Sequence, residues 1–159
     1  MTDHFASEGP LRPGNAAVAL IVTGDNHYLM QLRDQKSGIF YPGHWGLFGG
    51  AIDPGESPEV TLRRELNEEL GLAVEQVRYF TEFSFDIDFS GLGRFFRQFF
   101  EVTIERAALG GLVLGEGAEM RLFSAHDVLM LPRVVPYDAF ALWLHVVGRR
   151  SFGAATERS

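Results

Sequence analysis

The chain has 159 residues, 46% hydrophobic and 22% charged, which suits one domain with a sizeable core. It contains no apolar run near the roughly 18–20 residues of a membrane span, and no cysteine for a disulfide or a thiolate metal site. The formal net charge of −7 excludes the basic footprint of a sequence-independent nucleic-acid binder, and it would repel a polyphosphate unless a divalent cation intervened locally.

Met1 to Asn15 mixes Gly, Pro and polar residues and reads as a loosely held arm. Through Pro13 it is acidic and lacks a continuous apolar core, so it does not read as a signal peptide, and cytoplasmic residence is the default expectation. Residues 16–150 are expected to form one domain and 151–159 a C-terminal tail. Ala16 to Thr23 (AAVALIVT) suits a strand buried on both faces. Gly24-Asp25-Asn26 is a turn signal before a second strand, Tyr28 to Leu32, which makes a hairpin. Asp34 to His44 reads as a loop, and Trp45 to Phe48 as a short strand entering Gly49-Gly50. Ser57 to Leu70 is the clearest helix: Ser57 caps it, Pro58 suits its first position, and Leu62, Leu66 and Leu70 form an apolar stripe that Gly71 ends.

Val77 to Phe89 and Phe95 to Glu105 read as two long strands joined near Ser90-Gly91-Leu92-Gly93. A loop with a short strand is expected around Gly110-Gly111 and Gly115 to Gly117, then a last strand from Met120 to Phe123. Ser124-Ala-His-Asp127 resembles a capping box with Asp in place of Glu or Gln, opening a short helix. Val135 to Arg149 has apolar residues at helical spacing. The order of elements predicts an α/β domain with a mixed sheet.

Chemistry concentrates in Gly49 to Leu72 (GGAIDPGESPEVTLRRELNEELGL). Glu65, Glu68 and Glu69 stand at i, i+3 and i+4 and share one helix face. Three carboxylates so close repel one another unless neutralised, and hard cations such as Mg²⁺ or Mn²⁺ prefer such oxygen ligands. A solvated acidic face supported by Arg63 and Arg64 is the competing reading of the carboxylates alone. Neither the Glu68 nor the Glu69 carboxylate needs to be in the core, so exchanging either for Gln is expected to leave the fold intact. Gly49 and Gly50 follow a strand and can turn a carbonyl oxygen toward a metal while leaving room for phosphate. Arg64 can hold an acidic neighbour, and Glu56 sits at the positive end of the helix dipole.

These residues complete the pattern G-x5-E-x7-R-E-U-x-E-E-x-G-U, with U a bulky aliphatic: Gly50, Glu56, Arg64, Glu65, Leu66, Glu68, Glu69, Gly71 and Leu72. At background frequencies the fixed letters coincide by chance on the order of once in 10⁸ or 10⁹ positions. The chain thus resembles the Nudix hydrolase family. The resemblance implies an α/β/α sandwich and a metal-dependent hydrolase acting on the diphosphate linkage of a small nucleoside-diphosphate derivative. It implies Glu65, Glu68 and Glu69 as metal ligands with the Gly49 carbonyl, and Arg64 and Glu56 as orienting residues. Family members often add a carboxylate from a loop beyond the sheet; Glu119 is the first candidate here and Glu116 the second.

Arg33 and the loop Asp34 to His44 adjoin the box and are candidates to shape the pocket. His44 and Trp45 fit structural roles better than ligand contact, and the phenylalanines of the long strands fit core or dimer contacts, so a homodimer is permitted without being required. Arg94 and Arg97 are placed to reach a phosphate or solvent. Relatives acting on nucleoside triphosphates often carry Pro where this chain has Phe48, and the stretch Ile87 to Ser90 lacks the Pro or Tyr of two other subfamilies, so the substrate cues are silent. A diphosphate isomerase of similar fold uses a catalytic Cys, which this chain lacks. The remaining alternative is a ligand-sensing or protein-binding Nudix module without turnover.

Overall fold

The computed structural model describes residues 11–156, so most of the expected N-terminal arm and the last residues of the expected tail lie outside the described residues. The elements are β1 (Ala16–Thr23), β2 (His27–Leu32), β3 (Trp45–Gly46), β4 (Phe48–Ala51), α1 (Pro58–Leu70), β5 (Arg78–Asp86), β6 (Arg94–Ile104), β7 (Glu119–Ser124), α2 (Ala125–Met130) and α3 (Pro136–Thr156).

β1 organises the sheet. One of its edges pairs antiparallel with β4 through Ala16–Ala19 and with β2 at Ile21 and Val22, while the other pairs parallel with β6 from Ala16 to Thr23. β5 extends the sheet beyond β6, and β7 beyond β2, both antiparallel. Side chains alternate along a strand, so β1 serves two cores. Ala17, Ala19 and Ile21 pack with Leu62, Leu66 and Leu70 of α1. Val18, Leu20 and Val22 pack with Val128 of α2 and Leu142 and Val146 of α3. The result is the expected α/β/α sandwich with a mixed sheet. The doublet Phe99-Phe100 is divided the same way, one ring to each core.

Several boundaries differ from the sequence reading. The single strand expected over Trp45 to Phe48 is two, because Leu47 marks a change of partner from β2 to β1. β5 stops at Asp86 and a 3-10 turn, Asp88–Ser90, replaces its expected end, where Gly91 closes the turn at φ 74°. No strand forms between β6 and β7; a 3-10 segment, Arg106–Gly111, and a glycine loop cross that gap. Ser124 does cap α2 by accepting from the Asp127 N–H at 3.1 Å, but the Asp127 carboxylate turns to His126 instead of completing a reciprocal box. α3 runs past Arg149 to Thr156. Asn15 is tied down: its carbonyl accepts from Ile52 N at 2.9 Å and its side chain from Phe96 N at 3.0 Å. Among the described residues no helix is long and apolar enough to cross a membrane.

A buried polar chain fastens α3 to the sheet. His145, 2% exposed, lies 2.8 Å through Nδ1 from the Tyr28 hydroxyl and 2.5 Å through Nε2 from Glu101. A neutral imidazole that accepts from Tyr28 and donates to Glu101 satisfies both contacts. Burial holds His145 below its ordinary value despite Glu101. For Glu101, burial pushes upward, but hydrogen bonds from His145 and Arg78 outweigh it and leave the carboxylate below its usual range. A histidine with a depressed folded pKa binds fewer protons than its unfolded counterpart, so stability falls as pH drops through the unfolded value of about 6.5. Thermal melts between pH 7.5 and 5.5 will therefore show a smaller loss of Tm for His145→Gln than for wild type; equal slopes would mean that His145 does not carry this dependence.

Candidate active site

α1 is built as the sequence suggests: Ser57 accepts from Val60 N at 3.3 Å, Pro58 occupies the first turn, and Gly71 at φ 65° donates to Asn67 O at 2.9 Å in a left-handed cap. Its acidic face is graded rather than uniform. Glu68 is 57% exposed at its side chain, Glu65 17%, and Glu69 is buried at 7% beside Leu66 and Leu70. Glu69 is carried into the interior because its position flanks the apolar stripe of α1.

The glycine pair receives these carboxylates. Gly49 donates its N–H to Glu69 Oε2 at 3.1 Å. At φ 138°, a Cβ on Gly49 would stand 2.2 Å from the Ala17 carbonyl of β1. On Gly50 it would stand 2.4 Å from the Glu65 carboxyl carbon. At Gly49 both the positive φ and the close β1 backbone favour glycine, whereas at Gly50 a side chain would displace the Glu65 carboxylate.

Arg64 gathers the acidic groups on the outer side. Its Nε donates to Glu56 Oε1 and its Nη2 to Glu56 Oε2, each at 3.0 Å, while Nη1 donates to Glu65 at 2.8 Å and Glu68 at 3.3 Å. Asp53 adds an ion pair at 3.1 Å. The buried Thr61 hydroxyl donates to Glu56 at 2.7 Å. Hydrogen bonds from Arg64 and then Thr61 hold Glu56 below the usual carboxylate range. A planar, permanently charged fork suits this role. Arg64 and Glu56 thus brace α1 to the loop before it.

On the inner side lies a cleft shared by Glu69, Arg33, Lys36 and Glu116. Glu116, second choice in the sequence, reaches it because Gly115 and Gly117 bring the loop close. Gly115 donates to Glu69 O at 2.7 Å, and Val113 to Leu70 O at 3.1 Å, so this loop also caps the last carbonyls of α1. A Cβ on Gly115 would lie 2.9 Å from Glu68 O. Glu119, the first candidate, stands as expected at the start of the last strand, where its carboxylate pairs with Arg121. Arg33 reaches the cleft and is steadied by donating to Phe40 O at 2.8 Å. His44 bonds the Pro42 carbonyl and Trp45 packs edge-on against Phe123. Arg94 pairs with Asp86, and Arg97 lies 4.0 Å over the Tyr137 ring. Sequence reasoning missed Gln31 and Asp138, both buried polar residues near Leu47; the one available signal for Gln31 was a polar residue interrupting the apolar strand YLMQL.

The electrostatics of the cleft ask for positive charge. Burial, then the charges of Glu65 and Glu116, push Glu69 up to about 7 against the Gly49 hydrogen bond. Burial likewise raises Glu65, opposed by Arg64. Among the described residues no three acidic or histidine side chains already surround a single point that would hold an ion. The donor chemistry nevertheless fits a hard divalent cation, since Glu69 meets Gly49 and Glu65 stands against Gly50, each through its carboxylate.

Comparison with known proteins identifies the family and the fold. The NUDIX domain model matches residues 12–144, and the chain belongs to the Nudix family. Nudix hydrolases generally use divalent metal ions. The nucleoside triphosphatase NudI of Salmonella agona is 44% identical over 54 residues, 34% of this chain and 38% of that protein. The chain therefore spans under two-fifths of the length of that curated relative. The MutT protein from Methanosarcina mazei superposes with a TM-score of 0.70 at 20% identity, covering 87% of this chain and 96% of that one. The NUDIX domain of Shewanella oneidensis NrtR, solved with ADP ribose, superposes at 0.65 and 20% identity, covering 94% and 99%. These structural likenesses establish the fold.

The raised Glu69 carboxyl has a thermodynamic consequence. A carboxyl whose folded value exceeds its unfolded value binds more protons when folded, so its ionisation lowers stability as pH rises from about 4.5 to about 7. Glu69→Gln keeps an acceptor for Gly49 N–H and removes that charge. In EDTA at pH 8 calorimetry will place its Tm roughly 2–8 °C above wild type, with the gap shrinking toward pH 4.5; a variant that melts lower at both pH values would contradict the crowding of charge at Glu69.

Proposed function

We propose that the chain is a Mg²⁺-dependent hydrolase, with Mn²⁺ able to substitute, that cleaves a phosphoanhydride bond in a small nucleoside-diphosphate-type substrate such as a nucleoside triphosphate or a nucleotide sugar. The observation that carries this reading is the meeting of Glu65 and Glu69 with the Gly49-Gly50 strand, on the side where Glu116 adds a further carboxylate. Glu65, Glu68, Glu69 and the Gly49 carbonyl would hold the cation. When bound, it supplies neutralisation of the diphosphate and lowers the pKa of water.

The protein's own contribution is positional. Gly50 leaves Glu65 room against the strand, and Arg33 with Lys36 offers cationic contacts to a phosphate on the rim. In the reaction a water oxygen forms a bond to one phosphorus, the bridging P–O bond breaks, and the other phosphate leaves with the bridging oxygen. The water proton passes to a cleft carboxylate. Glu116 takes this role in place of Glu119, because Arg121 engages Glu119 whereas Glu116 faces Glu69. The chain acts on a soluble small molecule rather than a nucleic-acid polymer, in keeping with its net charge of −7. The similarity to a nucleoside triphosphatase, 44% identical over 54 residues, supports nucleoside triphosphates as the first substrates to test.

A screen of nucleoside triphosphates, nucleotide sugars, ADP-ribose, dinucleotides and dinucleoside polyphosphates, with and without Mg²⁺ and with products identified, tests the reading. Glu68→Gln and Glu69→Gln should each lower kcat by roughly 10²-fold or more while the protein stays folded. Glu116→Gln should lower it by roughly 10²-fold and Glu119→Gln by less than about threefold. Near-normal turnover in both Glu68→Gln and Glu69→Gln would sink the site, and ligand binding without turnover across the panel would favour the sensing module.

A further inference from the structure

We infer that Gln31 and Asp138 are positioning residues that clamp the Leu47 peptide from opposite sides and so hold Gly49 against Glu69. This rests on the cleft being the hydrolytic site. Leu47 lies where the chain leaves β3, paired to β2, and enters β4, paired to β1, so it belongs to neither ladder. It is 4% exposed, and its N–H and C=O would be left without partners in the interior. Two buried side chains take them. Asp138 Oδ2 accepts from Leu47 N at 2.9 Å, and Gln31 Nε2 donates to Leu47 O at 3.2 Å.

The clamp joins three parts of the fold. Gln31 comes from β2, Leu47 from the strand junction, and Asp138 from the first turn of α3; Asp138 and Gln31 are 2% and 5% exposed. Gly46 makes room for it, since a Cβ there would stand 3.3 Å from Asp138 Oδ2. Two residues beyond Leu47, Gly49 N donates to Glu69 at 3.1 Å, and the Gln31 side chain, which lines the cleft, also acts directly on Glu69. A shift of the Leu47 peptide therefore moves the N–H that receives Glu69. The other oxygen of Asp138 has no hydrogen-bond partner and stands 3.9 Å from Arg97 Nη2, too far for a hydrogen bond. The tight contact of this carboxylate is with the backbone, so an uncharged acceptor should replace it.

The test compares Asp138→Asn, Asp138→Ala and Gln31→Leu in the full chain, by steady-state kinetics on the best substrate of the screen with Mg²⁺ and by amide hydrogen exchange at Leu47 and Gly49. Asp138→Ala and Gln31→Leu should each lower kcat by about tenfold or more with KM within about threefold, and should speed exchange at Gly49. Asp138→Asn should stay within about threefold of wild type in kcat and keep Leu47 protected. Equal damage in Asp138→Asn and Asp138→Ala would assign the effect to the charge facing Arg97 and overturn the clamp. Wild-type kcat and wild-type Gly49 exchange in Gln31→Leu would overturn it as well, and that variant decides the matter if Asp138→Ala does not fold. If wild type turns over nothing in the screen, the proposed activity fails on its own, while Gly49 exchange in Gln31→Leu and Leu47 exchange in Asp138→Asn still decide the clamp.

Discussion

Placing a carboxylate in an apolar interior is unfavourable unless hydrogen bonds or a cation compensate it, and α1 does this at Glu69. The residue flanks the leucine stripe that fastens α1 to the sheet, so it is carried into the interior by the same burial that stabilises the helix. The Gly49 N–H meets it directly and the Gln31 side chain adds a smaller favourable contact, while Glu65 and Glu116 add repulsion. Much of the surrounding architecture follows from accommodating that charge. Gly49 must come within reach of the β1 backbone to offer its N–H, and Gly50 must lack a side chain so that Glu65 can stand beside it. The tension left in the protein alone is the property that a divalent cation would relieve.

The sheet supplies the rigid frame for this arrangement. β1 is fully buried and shares one edge between β4 and β2, so the chain has to change partners in the middle of what would otherwise be a single strand. That junction sits immediately before the glycine pair. A ladder would have satisfied Leu47 automatically; the interruption instead leaves it to side chains from two other elements. On the opposite side of the cleft, a loop without strand or α-helix is fixed by donating to the last carbonyls of α1 and so delivers Glu116. Arg64 does a third kind of work, bracing the helix to its preceding loop through Glu56 and hydrogen-bonding Glu65 and Glu68.

Much of the fold was legible because it is set by local chemistry. The unbroken apolar run of β1 announced burial on both faces, the period-four leucines announced α1, and Ser57, Pro58 and Gly71 marked its ends. The box was legible for a related reason: Glu65, Glu68 and Glu69 share a helical face by geometry alone. Less legible were the ends of β5 and the segment between β6 and β7, where glycines signalled turns without saying whether a strand intervened. The fate of each phenylalanine was also open until strand register assigned Phe99 and Phe100 to opposite cores.

By itself the sequence determined the α/β class, the acidic helix and its glycine partners, since each depends on residues a few positions apart. Tertiary structure alone decided that Glu69 is buried while Glu68 is exposed, that Glu116 lines the cleft, and that Glu119 pairs with Arg121. It also decided that Asp138, 91 positions from Leu47, holds that residue's N–H. Burial and long-range hydrogen bonds depend on which surfaces meet across the sheet, and helical or strand periodicity carries no record of that meeting.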